Sequence, residues 1–243
     1  MTATALAAVW AAVAPTVATS ATFPPPALDA RVWEEVANGK IARRTIGGTT
    51  PEEPATVLGV GVLDVSREEA WLSLTDDRLS AEIESLTEVA LQGTWAAPKR
   101  LYQRLDLPWP LNDRHWVIAL TNNARLATAS GVWERAWTLR SDLLADARAR
   151  TDTERFDAAE TVTVNQGGWL LVPLADGDTL AVYQARATLG GAIPDGAVDS
   201  YTRSSMTSLF EGVERNVAKV RPRYGPGCAP QPGADGAPIP CFR

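Results

Sequence analysis

The stretch Pro108–Trp116, PWPLNDRHW, sets an acid, a base and the chain's one histidine side by side. Asp113, Arg114 and His115 are residue types that do chemistry. A carboxylate or imidazole moves a proton, and a guanidinium fork holds a carboxylate or phosphate. Adjacent strand residues point to opposite faces, so the three do not converge if the chain enters a strand here. The prolines by themselves account for a turn. The bland reading is a turn and strand entry, with Asp113 and Arg114 pairing to other loops. The functional reading has Arg114 reaching a ligand head group. His115 has no orienting partner in the sequence, which makes it a weak general base.

Nothing else completes a catalytic set. There is no G-x-S-x-G elbow, and both cysteines lie in the C-terminal tail. Gly59-Val60-Gly61 falls inside a strand-like run and reads as a bulge or a close packing point, not a phosphate loop. One histidine and two distant cysteines are a poor ligand set, so no metal and no cofactor is expected. Net charge is −6, with no basic stripe for nucleic acid. At 243 residues, 45% apolar and 21% charged, the chain has the balance of a soluble globular protein that can bury a sizeable core.

The elements that must position any site follow from periodicity. Leu28, Val32, Trp33 and Val36 share a helical face that Asn38-Gly39 stops. Lys40 to Ile46 and Ala55 to Asp64 read as strands. Ser66 with Glu69 makes a capping box for a helix bearing Ala70, Trp71 and Leu74 and ending near Asp76-Asp77. Strands are then expected at Leu86–Thr94, Arg100–Leu107, His115–Thr121, Val132–Leu139, Glu160–Asn165, Gly168–Pro173 and Thr179–Leu189. Connections are short, so the order is antiparallel. The charged segment 140–159 reads as a loop or short helix. From Ala197 to Val220 an apolar stripe marks a long amphipathic helix, with Arg221-Pro222 as its end.

The two ends carry their own signals. Ala3 to Ala14 is a short apolar run, and no charged side chain precedes Asp29. Thr19-Ser20-Ala21 would serve as a small-residue cleavage site, although the positive n-region is missing. Export is the reading; a disordered or helical leader is the alternative. Cys228 and Cys241 stand in a Pro- and Gly-rich tail. A disulfide there would tether a loose end in an oxidising compartment. The alternative is two free thiols on a floppy tail. Leader and tail together point to a periplasmic or secreted protein.

Three phrases in order resemble the START-type lipid-transfer domains of the helix-grip (polyketide cyclase-like, SRPBCC) superfamily. They are GVLDVSREEAWLSLTD, LDLPWPLNDRHWV and GGWLLVPLADGDTLAVYQARATLGGAIPDG. The resemblance spans Leu28 to Arg221. His115 stands where family members often carry an acid after the arginine, so no shared role is carried over to it. The resemblance implies an α+β helix-grip fold: a curved antiparallel sheet around a long C-terminal helix, with an internal apolar cavity. It divides the chain into a leader and linker (1–27), a START-like domain (28–221) and a tail (222–243).

The implied function is binding or transfer of a lipid, sterol or similar hydrophobic molecule, without chemistry. The alternative is a cyclase- or dehydratase-like enzyme in which Arg114, His115 or Tyr183 would serve. The implied partners are that small molecule and a membrane touched in passing, with the protein a monomer. Most of the nine tryptophans must fill the core, but rigid aromatic faces would also suit such a ligand. Trp133 and Trp137 share a strand face, so they either line the cavity or stack on the outer surface. Tyr183 beside Ala185 and Ala187 leaves space under the helix, which Met206 and Phe210 would close; a tightly filled core is the competing reading. Leu189–Gly196 is either a gating loop or a plain helix-entry turn.

Overall fold

The computed structural model describes residues 1–48, 50, 53–77, 79, 86–93, 98–188 and 195–243, with the backbone alone for 195–205 and 207. The expected loop at Leu189–Gly196 lies mostly outside the described residues.

Eight strands form one path: β1 (Ala42–Ile46), β2 (Thr56–Leu63), β9 (Thr179–Ala187), β8 (Asn165–Pro173), β6 (Trp133–Leu139), β5 (Arg114–Asn122), β4 (Lys99–Leu105) and β3 (Leu86–Gln92). Every pairing on this path is antiparallel. One strand departs from expectation. Of Glu160–Asn165 only Glu160–Thr161 forms a strand, β7, and it pairs with β5 in parallel. Asn165 instead begins β8.

Alternation gives the sheet two faces, and different helices cover them. On the inner face lie α3 (Arg67–Thr75) and α7 (Asp195–Arg223), packed with Leu63, Trp133, Trp169, Leu171 and Ala181. On the outer face Leu58, Val60, Leu170, Leu180 and Val182 meet α1 (Ala3–Ser20), α2 (Ala30–Ala37) and α4 (Ala124–Ser130). Farther along that face, Tyr102 and Val117 pack against α5 (Leu144–Arg148) and α6 (Thr153–Ala158). Segment 140–159 is therefore a 3-10 turn and two short helices rather than a loop.

The capping box at α3 forms as its spacing requires. Ser66 Oγ accepts from the Glu69 amide at 3.3 Å, while the Glu69 carboxylate accepts from the Ser66 amide at 3.1 Å. The same carboxylate reaches Arg221 at 2.6 Å. Burial alone would raise the Glu69 pKa, but hydrogen bonds from Arg221 and Ser66 outweigh it and hold the group below its ordinary value. Ser73 Oγ donates to the Val213 carbonyl at 2.7 Å, and Tyr224 Oη donates to buried Asp76 at 2.5 Å. Together these bolt α3 to α7.

The stripe of α7 is Met206, Phe210, Val213, Val217 and Val220, each buried. Pro222 does not end the helix, which runs one residue further. The proline removes a single amide bond, and the Tyr224 amide closes the turn on the Val220 carbonyl at 2.8 Å. The tail is folded too. A ribbon of β10 (Gln231–Pro232) and β11 (Pro238–Ile239) forms, and Cys228 and Cys241 make a disulfide with Cα atoms 5.8 Å apart. Ala234 and Ile239 are buried beside Trp71 and Trp133.

The apolar run at the N-terminus is a full helix of 18 residues, not the shorter 3–14 segment. By length and composition it can cross a membrane. Leu6, Trp10 and Val17 pack it against α2 and α4.

Candidate functional site

Cross-strand register lays out the inner face in rows. Directly opposed residues point the same way, so each row is one line of side chains across the sheet. One row is Asn122, Arg135, Trp169, Tyr183 and Gly59. The next is Lys99, Leu120, Trp137, Gly167 and Ala185. Then come Leu101, Ile118 and Leu139, after them Gln103 and Trp116, and last Leu105 and Arg114.

Where α7 covers these rows it sits directly on backbone. A Cβ on Gly61 would meet the Phe210 ring at 3.1 Å, and one on Gly59 would overlap the Met206 side chain. Gly59 and Gly61 are thus close packing points. The space under Met206 and Phe210 is filled. Trp169 lies between Phe210 and Tyr183, with ring centroids 5.1 and 4.9 Å away, and Trp137 is 5.8 Å from Tyr183. Trp137 covers the face of Gly167 and donates its indole N–H to Asn165 Oδ1 at 2.9 Å. Met206, Phe210 and Trp169 are buried, whereas Trp137, Tyr183 and Ala185 are only half-buried. The aromatic layer is therefore buried under Met206 and Phe210 and half-buried on the side toward β5, β4 and β3.

The inner face on that side is apolar and buried. Leu101, Leu105, Trp116, Ile118 and Val162 form a cluster that Leu86, Leu107, Leu120, Leu139 and Trp137 extend. Trp137 belongs to this cluster and to the one under α7, so the two are continuous.

Two buried cations border it, neither of them singled out from the sequence. Lys99 is paired with Asp77. Burial pushes its ammonium below the ordinary lysine range against the pull of that carboxylate. Arg135 donates to Asn122 Oδ1 at 2.5 Å, and burial brings its guanidinium down to about 10, still charged at neutral pH. The signal for Arg135 was present. It stands between Trp133 and Trp137 at a spacing of two, so it must share their face.

The residues of PWPLNDRHW separate. Asp113 Oδ1 accepts from the Leu107 amide at 3.1 Å and closes the turn, whose Trp109–Pro110 bond is cis. Arg114 is buried on the inner face. Its guanidinium donates to the Asn112 carbonyl at 2.6 Å and pairs with Glu160 at 3.3 Å. It stands eight residues from Asn122, roughly 27 Å along β5. His115 faces the other way. It packs against Phe156 at 4.3 Å, its Nε2 is 2.8 Å from Thr161 Oγ1, and burial lowers its pKa. It is a packed outer-face histidine. Trp133 lies apart from this half-buried side. Trp71 meets it edge-on at 5.3 Å, the Arg67 guanidinium lies 4.0 Å from its ring centroid, and Gly233 of the tail presses on it.

A cleft of about 470 Å³ opens elsewhere, beside the C-terminal half of α7, lined by Asp64, Ser66, Glu69, Asp176, Asp178 and Arg221 among others. None of the aromatic layer lines it. Among the described residues no group of three His, Cys, Asp or Glu side chains is arranged to hold a metal ion.

No family model matches the sequence. A relative, an uncharacterised protein of Pseudomonas aeruginosa, is 23% identical over 164 residues, 66% of this chain and 75% of that one. Among solved structures, a STAR-related lipid transfer protein fragment from Xanthomonas axonopodis is similar, with a TM-score of 0.56 and 19% identity. That match covers 75% of this chain and 95% of the fragment. The human StAR-related lipid transfer protein 5 is similar at a TM-score of 0.52 and 16% identity, over 73% of this chain and 86% of that one. These are likenesses of fold. The chain has the START-type helix-grip fold, α+β, with a large antiparallel sheet packed against its C-terminal helix.

Proposed function

We propose that the protein binds or carries a hydrophobic small molecule, a lipid, a sterol or a similar compound, on the inner face between α7 and strands β3 to β6, and performs no chemistry on it. One observation carries the reading: the apolar inner face runs unbroken from Leu101 and Ile118 to Trp137, past the part of the sheet that the described side chains of α7 touch. A sheet face of leucine, isoleucine and tryptophan suits an elongated apolar guest, and a few buried polar groups suffice to orient it. Trp137, Tyr183 and Ala185 form its wall; Met206 and Phe210 form the closed end. Lys99 and Arg135 lie beside the wall and Arg114 at the far end, each able to orient a polar head group. The fold shared with two proteins named for lipid transfer supports the same reading.

Of the residues a cyclase-like enzyme would use, His115 points to the other face, packed against Phe156, while Arg114 and Tyr183 lie on this one. The fold shared with proteins named for lipid transfer is what favours binding over chemistry.

The apolar N-terminal helix and the tail disulfide support export to an oxidising compartment, periplasmic or extracellular, with the helix serving as the signal. The protein works as a monomer and touches a membrane only to exchange its cargo. Trp109, 92% exposed on the β4–β5 turn, is suited to that contact, since an indole partitions to the membrane interface.

The test is native mass spectrometry and solvent extraction of protein purified without detergent, followed by titration with fluorescent fatty acid, phospholipid and sterol probes. A co-purified lipid, or saturable uptake quenched at tryptophan, is expected. No bound lipid and no uptake of any probe would overturn the reading.

A further inference from the structure

We propose that the peptide bond between Ala21 and Thr22 is a processing site, and that Glu134 is the buried counter-ion of the α-ammonium group that cleavage leaves on Thr22.

Glu134 lies on β6, on the outer face of the sheet, and is 1% exposed. The backbone nitrogen of Thr22 is 2.9 Å from each of its carboxylate oxygens. The Thr22 hydroxyl donates at 3.1 Å, the Phe23 amide at 3.2 Å and Asn123 Nδ2 at 2.6 Å. Gln184 donates to the Phe23 carbonyl and fixes the segment from the other side. These partners of Glu134 are two amides, a hydroxyl and a carboxamide, and all are neutral. Burying a carboxylate on neutral donors alone is costly.

The geometry at Thr22 supplies what is missing. An amide has one hydrogen, here shared between two equidistant oxygens. An ammonium at the same nitrogen has three, one for each oxygen, and brings the positive charge without the nitrogen moving.

The chain upstream fits removal. Thr19-Ser20-Ala21 presents small residues at the positions a leader peptidase reads. A helix kept on a protein surface normally turns charged residues outward. The outward positions of α1 include Ala8, Ala11, Ala12, Pro15 and Ala18 and carry no charge. Without α1, α2 still packs on β1 and β2 and α4 still packs on β6. The polar clamp grips mainly the residues after the cut; before it, Asn123 reaches the Ser20 carbonyl at 2.7 Å.

The step is a hydrolysis on the translocating, unfolded chain. Water adds to the Ala21 carbonyl and the C–N bond breaks. Ala21 leaves with a carboxylate, and the Thr22 nitrogen takes up a proton. Folding then carries the new ammonium onto Glu134. The proposal rests on the export reading and is independent of the ligand.

The full chain is expressed in a bacterium with an export pathway and recovered from the periplasm. Intact mass should begin at Thr22. A chain retaining residues 1–21, or cut at another bond, overturns the proposal. The processed protein is then labelled with an amine-reactive reagent near neutral pH, with Thr22 followed by peptide mapping. Pairing with a buried carboxylate raises an α-amino pKa by about one to two units, so labelling slows about 10- to 100-fold against urea-unfolded protein. Glu134→Gln should restore most of that rate; an unchanged rate overturns the counter-ion. If that variant does not accumulate, equal labelling of folded and unfolded wild type likewise overturns it, and slowed labelling of the folded protein supports it. Lipid uptake measured on the same sample reads the ligand proposal separately.

Discussion

Met206 rests on Gly59: a Cβ at residue 59 would overlap the methionine sulfur and lie 3.2 Å from its Cγ. The absence of a side chain on β2 is what lets α7 settle against the sheet, and Gly61 does the same for Phe210. Gly59→Val should therefore force α7 outward and lower stability by about 1–3 kcal/mol, as overpacking does. Urea unfolding checks this. An unchanged midpoint would mean that α7 is not seated as described.

The wall of the proposed site is tested at Trp137 and Tyr183, whose half-buried rings lie 5.8 Å apart. Trp137→Ala should weaken fluorescent lipid binding at least about tenfold, as loss of a buried aromatic anchor does at an interface. Trp133→Ala, apart from that wall, should lower thermal stability and leave affinity within about twofold. Equal loss of affinity in the two variants would reject this division of roles.

How much of this was legible depends on which signal each residue gives. Ser66 and Glu69 announce a helix start by spacing alone, and both bonds form. Ala181 and Tyr183 against Leu180 and Val182 announce two faces, and the two faces exist. Arg135 was legible by alternation but is a charged type normally left outside. Its burial follows from partners on β5 and the α3–β3 segment that no local pattern reveals. Helix α4 was missed because Ala124–Ser130 is short and its apolar contact is made by Leu126 and Ala127 alone. The tail's order comes from Trp71, whose indole donates to the Pro232 carbonyl at 3.2 Å, a pairing 161 residues apart in sequence.

That tail sets a redox prediction. The Cys228–Cys241 disulfide closes a loop with a sequence separation of 13. Chain-entropy arguments give such a closure about 3 kcal/mol. Reduction, or Cys228→Ser with Cys241→Ser, should lower the thermal midpoint and free the ribbon that packs on Trp133. Calorimetry with and without reductant measures it; no shift would show that packing alone holds the tail.

Acid should loosen the α3–α7 junction. The folded pKa of Glu69 is depressed, so its contribution is complete above the ordinary carboxylate pKa and is lost as pH falls through the lower folded value. Arg221→Ala removes the principal cation. The variant should lose stability at neutral pH, and its acid limb should flatten relative to wild type. Parallel acid limbs would exclude the Glu69–Arg221 pair as a source of that dependence.

His115 separates binding from chemistry. Burial keeps its imidazole neutral in the fold, with a pKa below the ordinary value. The unfolded chain therefore binds more protons between the two values. This contribution to stability is complete above about pH 6.5 and declines as pH falls toward the folded value. His115→Asn removes the titrating imidazole, so the decline between about pH 6.5 and the folded pKa should shrink. Lipid uptake should stay within about twofold of wild type, because the ring lies on the face opposite Trp116 and Ile118. If the variant instead lost uptake or a turnover while its thermal midpoint held, the inner-face site would be wrong and the outer face would have to be searched for it.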